Sequence, residues 1–281
     1  MFKDCQDNNI EDQLLSNTYK KNSIWKKIII IAIICILIIS ITIILLLIFL
    51  TEDKGNEEKN EENENDNSIY INPISNYSYC IIWLHGLDNC PENFVDLFTK
   101  EINFTYRNNT KIILMRAKYM TMTYNNQNLT SWFDLFKFPI NSTDTYNFED
   151  AKKSSKSLKK IIDQEAKILG RYDKIYIGGH SQGACISLYT GYNIKELLGG
   201  VIVCSGILFP QGEITGDKNN LNVYLGHGDK DLAIPIEFHN ETIKRIENYE
   251  GVKQFLYQGY GHAIYDIEKN DIEKFLNETM K

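Results

Sequence analysis

The sequence predicts an α/β fold in which a mostly parallel sheet carries helices on both faces. Three observations point to it. From about Tyr70 onward, short apolar runs rich in β-branched residues alternate with longer segments of helical character, the order that builds a covered parallel sheet. One of these runs, residues 174–177, passes through a glycine-rich turn into small apolar residues that can continue as a helix. The polar motifs fall directly after the apolar runs, where the carboxyl ends of parallel strands gather a site.

In chain order, residues 1–27 are polar without apolar periodicity and read as a cytoplasmic tail. Residues 28–50 are apolar, interrupted only by Ser40 and Thr42. As a helix this segment spans roughly 34 Å, enough for a hydrocarbon core of about 30 Å. A cleaved signal peptide would have a shorter apolar region and a small-residue cleavage site, which Phe49-Leu50-Thr51-Glu52 does not offer. The expectation is one uncleaved transmembrane helix, with the lipid bilayer as a partner through residues 28–50. Lys20, Lys21, Lys26 and Lys27 precede it, whereas Glu52 and Asp53 follow. The positive-inside tendency then places the N-terminus in the cytoplasm and the large domain in a lumen or outside the cell. Asn76, Asn103, Asn108, Asn128, Asn141, Asn240 and Asn277 begin Asn-x-Ser/Thr sites, all after the apolar segment, which agrees. A cytosolic domain is the alternative. Residues 51–68 are almost wholly Glu, Asn, Asp and Lys, a solvated and self-repelling linker.

Residues 69–281 form the globular domain. Strands are expected at Tyr79–Leu84, 111–115, 174–177, Gly200–Cys204, 221–225 and Val252–Tyr257. Helices are expected at 91–102, Phe148–Leu169, after Ser181, at 236–249 and at 264–276. In Phe148–Leu169, Leu158, Ile161, Ile162 and Ala166 share one face and lysines the other, as on an amphipathic surface helix. A hydrophobic content of 43% supports a sizeable core, and the net charge of −7 argues against nucleic acid as a partner.

The chemistry centres on Gly179-His180-Ser181-Gln182-Gly183, a G-x-S-x-G nucleophile elbow between strand and helix. Such a turn lifts the Ser181 hydroxyl out of the sheet at a helix N-terminus, whose N–H groups favour a developing anion. The Gln182 N–H is one candidate oxyanion donor. The loop His85-Gly86-Leu87 follows an early strand and supplies the other, the Leu87 N–H. His85, beside glycine at a strand end, reads as a structural hydrogen-bonding residue. His227-Gly228-Asp229-Lys230-Asp231 offers two carboxylates after another strand, and Gly259-Tyr260-Gly261-His262 follows the last. The order Ser181, aspartate, His262 is the triad order of α/β hydrolases, with the choice of aspartate open at this point. His239 falls within an expected helix and receives no role. The six cysteines show no metal pattern; Cys5 and Cys35 lie outside the domain, and Cys80 and Cys90 sit at opposite ends of one strand. Cys185 and Cys204 read as small buried residues. No metal or cofactor is called for.

At these residues the domain resembles a known family. Residues 79–281 are similar to the acyl-protein thioesterase and lysophospholipase family of carboxylesterases. The likeness rests on Ile81-Ile82-Trp83-Leu84-His85-Gly86-Leu87, Ser131-Trp132-Phe133-Asp134, Ile162-Asp163-Gln164-Glu165, Gly178 through Ala184, His227 through Asp231, and Gly261-His262. The resemblance implies an α/β-hydrolase with the triad Ser181, Asp231 and His262 and with oxyanion donors at Leu87 and Gln182. It also implies contact of Trp132 and Phe133 with an acyl chain. The sequence departs from the family where Asp88-Asn89 follows the loop leucine in place of glycine. A second departure is Arg116–Thr121, which replaces a proline-rich stretch. The implied activity is hydrolysis of acyl esters or thioesters, the substrate an acylated protein or a lysophospholipid. A lumenal domain would favour the lysophospholipid. A serine peptidase on the same fold is disfavoured by the lack of a propeller or large cap. A non-catalytic binding domain is disfavoured because nucleophile, base and acid are all present.

Overall fold

A computed structural model describes residues 38–44, 67–140 and 142–281. By internal contacts the chain divides into units 1–65 and 66–281. The strands of the second unit are β1 (Ile69–Ile71), β2 (Tyr79–Leu84), β3 (Thr110–Met115), β4 (Tyr119–Thr121), β5 (Asn128–Thr130), β6 (Ile175–His180), β7 (Gly200–Cys204), β8 (Val223–Gly228) and β9 (Val252–Tyr257). Its α-helices are α1 (Phe148–Leu169), α2 (Gln182–Asn193), α3 (Ile236–Ile246) and α4 (Asp266–Thr279).

Strand β2 shows why a two-sided sheet forms. Its side chains alternate, so Cys80, Ile82 and Leu84 join one hydrophobic cluster, and Tyr79, Ile81 and Trp83 join the other. Such all-round burial is the mark of a parallel strand covered on both faces. The sheet has seven strands in the order β1-β3-β2-β6-β7-β8-β9. All neighbours are parallel except β1, which runs antiparallel to β3 at the edge. One face is covered by α1 and α2, with Ile246 of α3; the other by the 91–102 segment and by Ile272, Phe275 and Leu276 of α4. The expected α/β-hydrolase architecture is thereby present.

Helix α1 has the expected bounds because its ends are signalled locally. The Asn147 side chain accepts from the N–H groups of Glu149 and Asp150, at 3.1 and 3.3 Å, and Gly170 closes the helix at φ 74°. The helix expected at 91–102 is instead a 3₁₀ turn, Pro91–Phe94, followed by a π-helical turn, Leu97–Glu101. The wider turn bonds the Ile102 N–H to the Leu97 carbonyl at 3.0 Å. It lets Phe94, Leu97, Phe98 and Ile102 all reach the sheet.

The membrane placement requires correction. Of the segment expected to span a bilayer, residues 38–44 are described, as an exposed helical stretch; the remainder lies outside the described residues, as does nearly all of the 51–68 linker. Among the described residues no helix is long and apolar enough to cross a membrane. The type II placement with a lumenal or extracellular domain is not upheld, and the preference for a lysophospholipid that rested on it lapses.

Candidate active site

The elbow forms where β6 turns into α2. Ser181 sits there at φ 57°, ψ −121°, a region costly for a residue with a Cβ. The turn is held by the Ser181 N–H bonding to the Cys204 carbonyl at 2.9 Å, at the end of neighbouring β7. Gly183 is required by closeness: a Cβ there would lie 2.2 Å from the Leu84 carbonyl oxygen at the end of β2. The first turn of α2 thus rests directly on the strand that leads to the His85–Leu87 loop.

The structure brings Ser181, His262 and Asp231 together from three strand ends. His262 Nε2 lies 2.7 Å from Ser181 Oγ, and its Nδ1 lies 2.6 Å from Asp231 Oδ2. The other Asp231 oxygen accepts the N–H groups of Ala233 and Ile234, each at 2.9 Å. The Asp231 side chain is wholly buried. Burial pushes its carboxyl upward, but the bond and charge of His262 and the Ile234 N–H outweigh it and hold it below the usual carboxylate range. Asp229 faces elsewhere and accepts from the Gly259 N–H, so geometry separates the two carboxylates. The His262 loop reaches the site because Gly228 has no side chain; a Cβ there would meet the Tyr260 carbonyl oxygen at 2.3 Å.

The Leu87 and Gln182 N–H groups are taken by none of the turn, loop and cap hydrogen bonds of the described residues. Asp88, the departure from glycine, adopts φ 53°, a left-handed conformation that aspartate tolerates better than most residues. Its N–H bonds the Thr130 carbonyl at 2.9 Å, which pins the loop. His85 is structural, as expected. It is buried, its Nδ1 lies 2.7 Å from the Gly86 carbonyl, and its Nε2 accepts the Ala117 N–H at 3.0 Å. A ring engaged at both nitrogens has no lone pair left for a substrate.

Trp132 and Phe133 lie in the core beside the elbow, 6% and 0% exposed, and neither lines the cavity next to His262. The Trp132 Nε1–H donates to the His85 carbonyl at 2.7 Å. The buried Gln182 side chain clasps the same loop: its Oε1 accepts from Ser131 Oγ and the Trp132 N–H, and its Nε2 donates to the Phe133 carbonyl. These bonds join residues some fifty positions apart, and nothing in the sequence pattern signals them.

Two histidines that the sequence motifs contain, but to which they assign no role, also border the site. His180 packs its ring 4.9 Å from that of His262, and burial, with that neighbour, pushes it down to about 3. His227 is buried with Nε2 2.9 Å from the Ile234 carbonyl and 3.6 Å from Asp231 Oδ2. His239 stacks on His227 at 4.8 Å, away from Ser181. Among the described residues no group of His, Cys, Asp and Glu is arranged to hold a metal. Cys80, Cys90, Cys185 and Cys204 are free thiols.

Residues 65–280 match the sequence pattern of the phospholipase/carboxylesterase family. Among similar proteins is acyl-protein thioesterase 1 of Saccharomyces cerevisiae, 27% identical over 71% of this chain and 92% of its own. Another is acyl-protein thioesterase 1 of Schizosaccharomyces pombe, 31% identical over 65% of this chain and 81% of its own. Among solved structures, Arabidopsis thaliana SOBER1 superposes with a TM-score of 0.64 at 24% identity, covering 72% of this chain and 99% of that one. Acyl-protein thioesterase 2 of Zea mays gives 0.62 at 16%, covering 77% and 100%. The family match begins at residue 65, so the expected membrane segment lies outside it. With the sheet, the elbow and this match in agreement, the chain belongs to the phospholipase/carboxylesterase family of α/β-hydrolases, enzymes that cleave carboxylic ester and thioester bonds.

Proposed function

We propose that residues 69–281 are a catalytic domain that hydrolyses acyl esters or thioesters by two-step acyl transfer, with Ser181, His262 and Asp231 as its triad. The carrying observation is the unbroken chain from Asp231 through His262 to Ser181 Oγ, at 2.6 and 2.7 Å. His262 takes the Ser181 proton as Oγ attacks the acyl carbonyl, then gives it to the departing thiol or alcohol. Water attacks the acyl-enzyme by the same route and releases the acid. Asp231 holds the imidazole in the tautomer with its proton on Nδ1 and stabilises the cation that forms. The Leu87 and Gln182 N–H groups receive the oxyanion, each worth about 10²–10³ in rate. Trp132 and the Gln182 side chain brace that pair of donors from behind.

The relatives' names support an acylated protein as the substrate, and the family's description supports a lysophospholipid as the second reading. The test compares a palmitoyl-cysteine peptide with a lysophospholipid, using the wild type and Ser181→Ala. The serine variant is expected to keep its thermal midpoint and to lose all but about a hundredth of the activity or less. Residual turnover above that level on both substrates removes Ser181 from the mechanism.

A further inference from the structure

We propose that the cavity of about 320 Å³ on the α4 side of His262 holds the leaving group, and that it selects an uncharged or cationic peptidyl thiol or alcohol over a phosphate-bearing one. This rests on the function proposed above, because it follows the proton. His262 delivers its proton to the departing sulfur or oxygen, so the departing group must lie against His262. The cavity that His262 lines is bounded by Phe94, Leu97, Ala263 and Ile264, an apolar wall suited to a chain passing over it.

The polar lining decides the chemical class. Lys269 is the lysine of the cavity wall, and its Nζ is already held by Glu101 at 3.1 Å and by Asp266 at 3.0 Å. Two carboxylates on one ammonium leave that edge of the mouth one charge negative, which repels a phosphate and accepts a cation. Asn89 and Asn93 also line the cavity and offer amides, linked by a 2.6 Å bond from Asn93 Nδ2 to Asn89 Oδ1. His180 lines the interior with its Nε2 buried and without a partner among the described residues. Burial keeps this ring neutral, so Nε2 can donate to or accept from a peptide group without adding charge.

The experiment uses the full chain, with active sites counted by a fluorophosphonate so that misfolded protein does not enter the rates. Substrates share one acyl chain: a cysteine thioester flanked by lysines, the same flanked by glutamates, and lysophosphatidylcholine. The wild type is expected to favour the lysine peptide over the glutamate peptide by about fivefold, the size of one charge interaction at a solvated mouth. Glu101→Lys should bring that ratio to one or below. Asn93→Trp, at an exposed position of the mouth, should raise KM for the lysine peptide more than for a p-nitrophenyl ester of the same acid. An unchanged peptide ratio in Glu101→Lys, or faster wild-type turnover of lysophosphatidylcholine than of the lysine peptide, overturns the assignment. Absence of fluorophosphonate labelling would defeat the proposed function itself. A labelled, active enzyme with an unmoved ratio defeats the leaving-group site alone.

Discussion

At the amino end of the sheet, Glu165 accepts from Lys111 Nζ at 2.6 Å and from the Tyr77 hydroxyl. At the carboxyl end, Asp231 accepts from two backbone N–H groups and from His262. Both carboxylates are nearly inaccessible, and both begin a chain of polar groups. The difference is where each chain ends. The Glu165 chain closes on a lysine of β3 and on Tyr77, with no nucleophile at its end, so it serves to hold β3 and α1 together. The Asp231 chain ends on a serine hydroxyl on a strained turn; its histidine lines an open cavity, and the Leu87 and Gln182 N–H groups are taken by none of the turn, loop and cap hydrogen bonds of the described residues. Burial of a carboxylate therefore does not mark a reactive site; an unfinished hydrogen-bond chain does.

The contrast can be broken most forcefully at Asp231. Asp231→Asn should lower kcat by about 10⁴ through loss of the correct imidazole tautomer, while the thermal midpoint moves little. Asp229→Asn should leave kcat within a few-fold, and equal losses at the two positions would remove the geometric choice between them. Glu268 offers an intermediate case: it is 2% exposed, one oxygen has no partner among the described residues, and burial raises its carboxyl to about 7. Between the ordinary glutamate value and 7, the folded protein keeps a proton that the unfolded chain has lost. Stability should therefore fall as pH rises through that window and level off above it, by on the order of 3 kcal/mol in all. Urea midpoints at pH 5 and pH 8 should converge in Glu268→Gln; parallel behaviour in both proteins would show that this carboxyl does not titrate there.

At the amino end, Glu165→Ala should cost about 2–3 kcal/mol of stability, since Lys111 is close enough to water to recover part of its hydration. Its kcat per folded molecule should be unchanged, and a kinetic defect would erase the distinction between the two ends. The smallest effect is expected from Trp132→Phe, which removes the 2.7 Å bond to the His85 carbonyl. A drop in kcat of about tenfold with little change in KM would show that Trp132 positions the oxyanion loop. A change in KM for longer acyl chains alone would restore a direct contact with substrate.

The same contrast explains what the sequence made legible. Strand β2 and helix α1 appear with their expected bounds because all-round apolarity and a capped amphipathic stripe are local signals. The residues Ser181, Asp231 and His262 stand at strand ends in a recognisable order, so their meeting could be expected before any coordinate was known. Strand β1 and the β4–β5 hairpin have three residues each, too few to show a period. The 91–102 segment has helical spacing of its apolar residues, yet the sheet's need for Phe94, Leu97, Phe98 and Ile102 on one side widens the turn. The Gln182 clasp and the neutral His180 are products of tertiary contact, and no spacing rule reaches them. The type II placement read from the apolar run at 28–50 is the expectation that is overturned: among the described residues no helix is long and apolar enough to cross a membrane.

The most direct test of the central claim is intact-mass analysis after reaction with a fluorophosphonate. The wild type should gain one phosphonyl adduct, mapping to Ser181 on digestion. Ser181→Ala should gain none, and Asp231→Asn should react far more slowly. An adduct of equal yield on the Ser181→Ala protein, or none on folded wild type, would contradict the assignment of Ser181 as the nucleophile activated by His262.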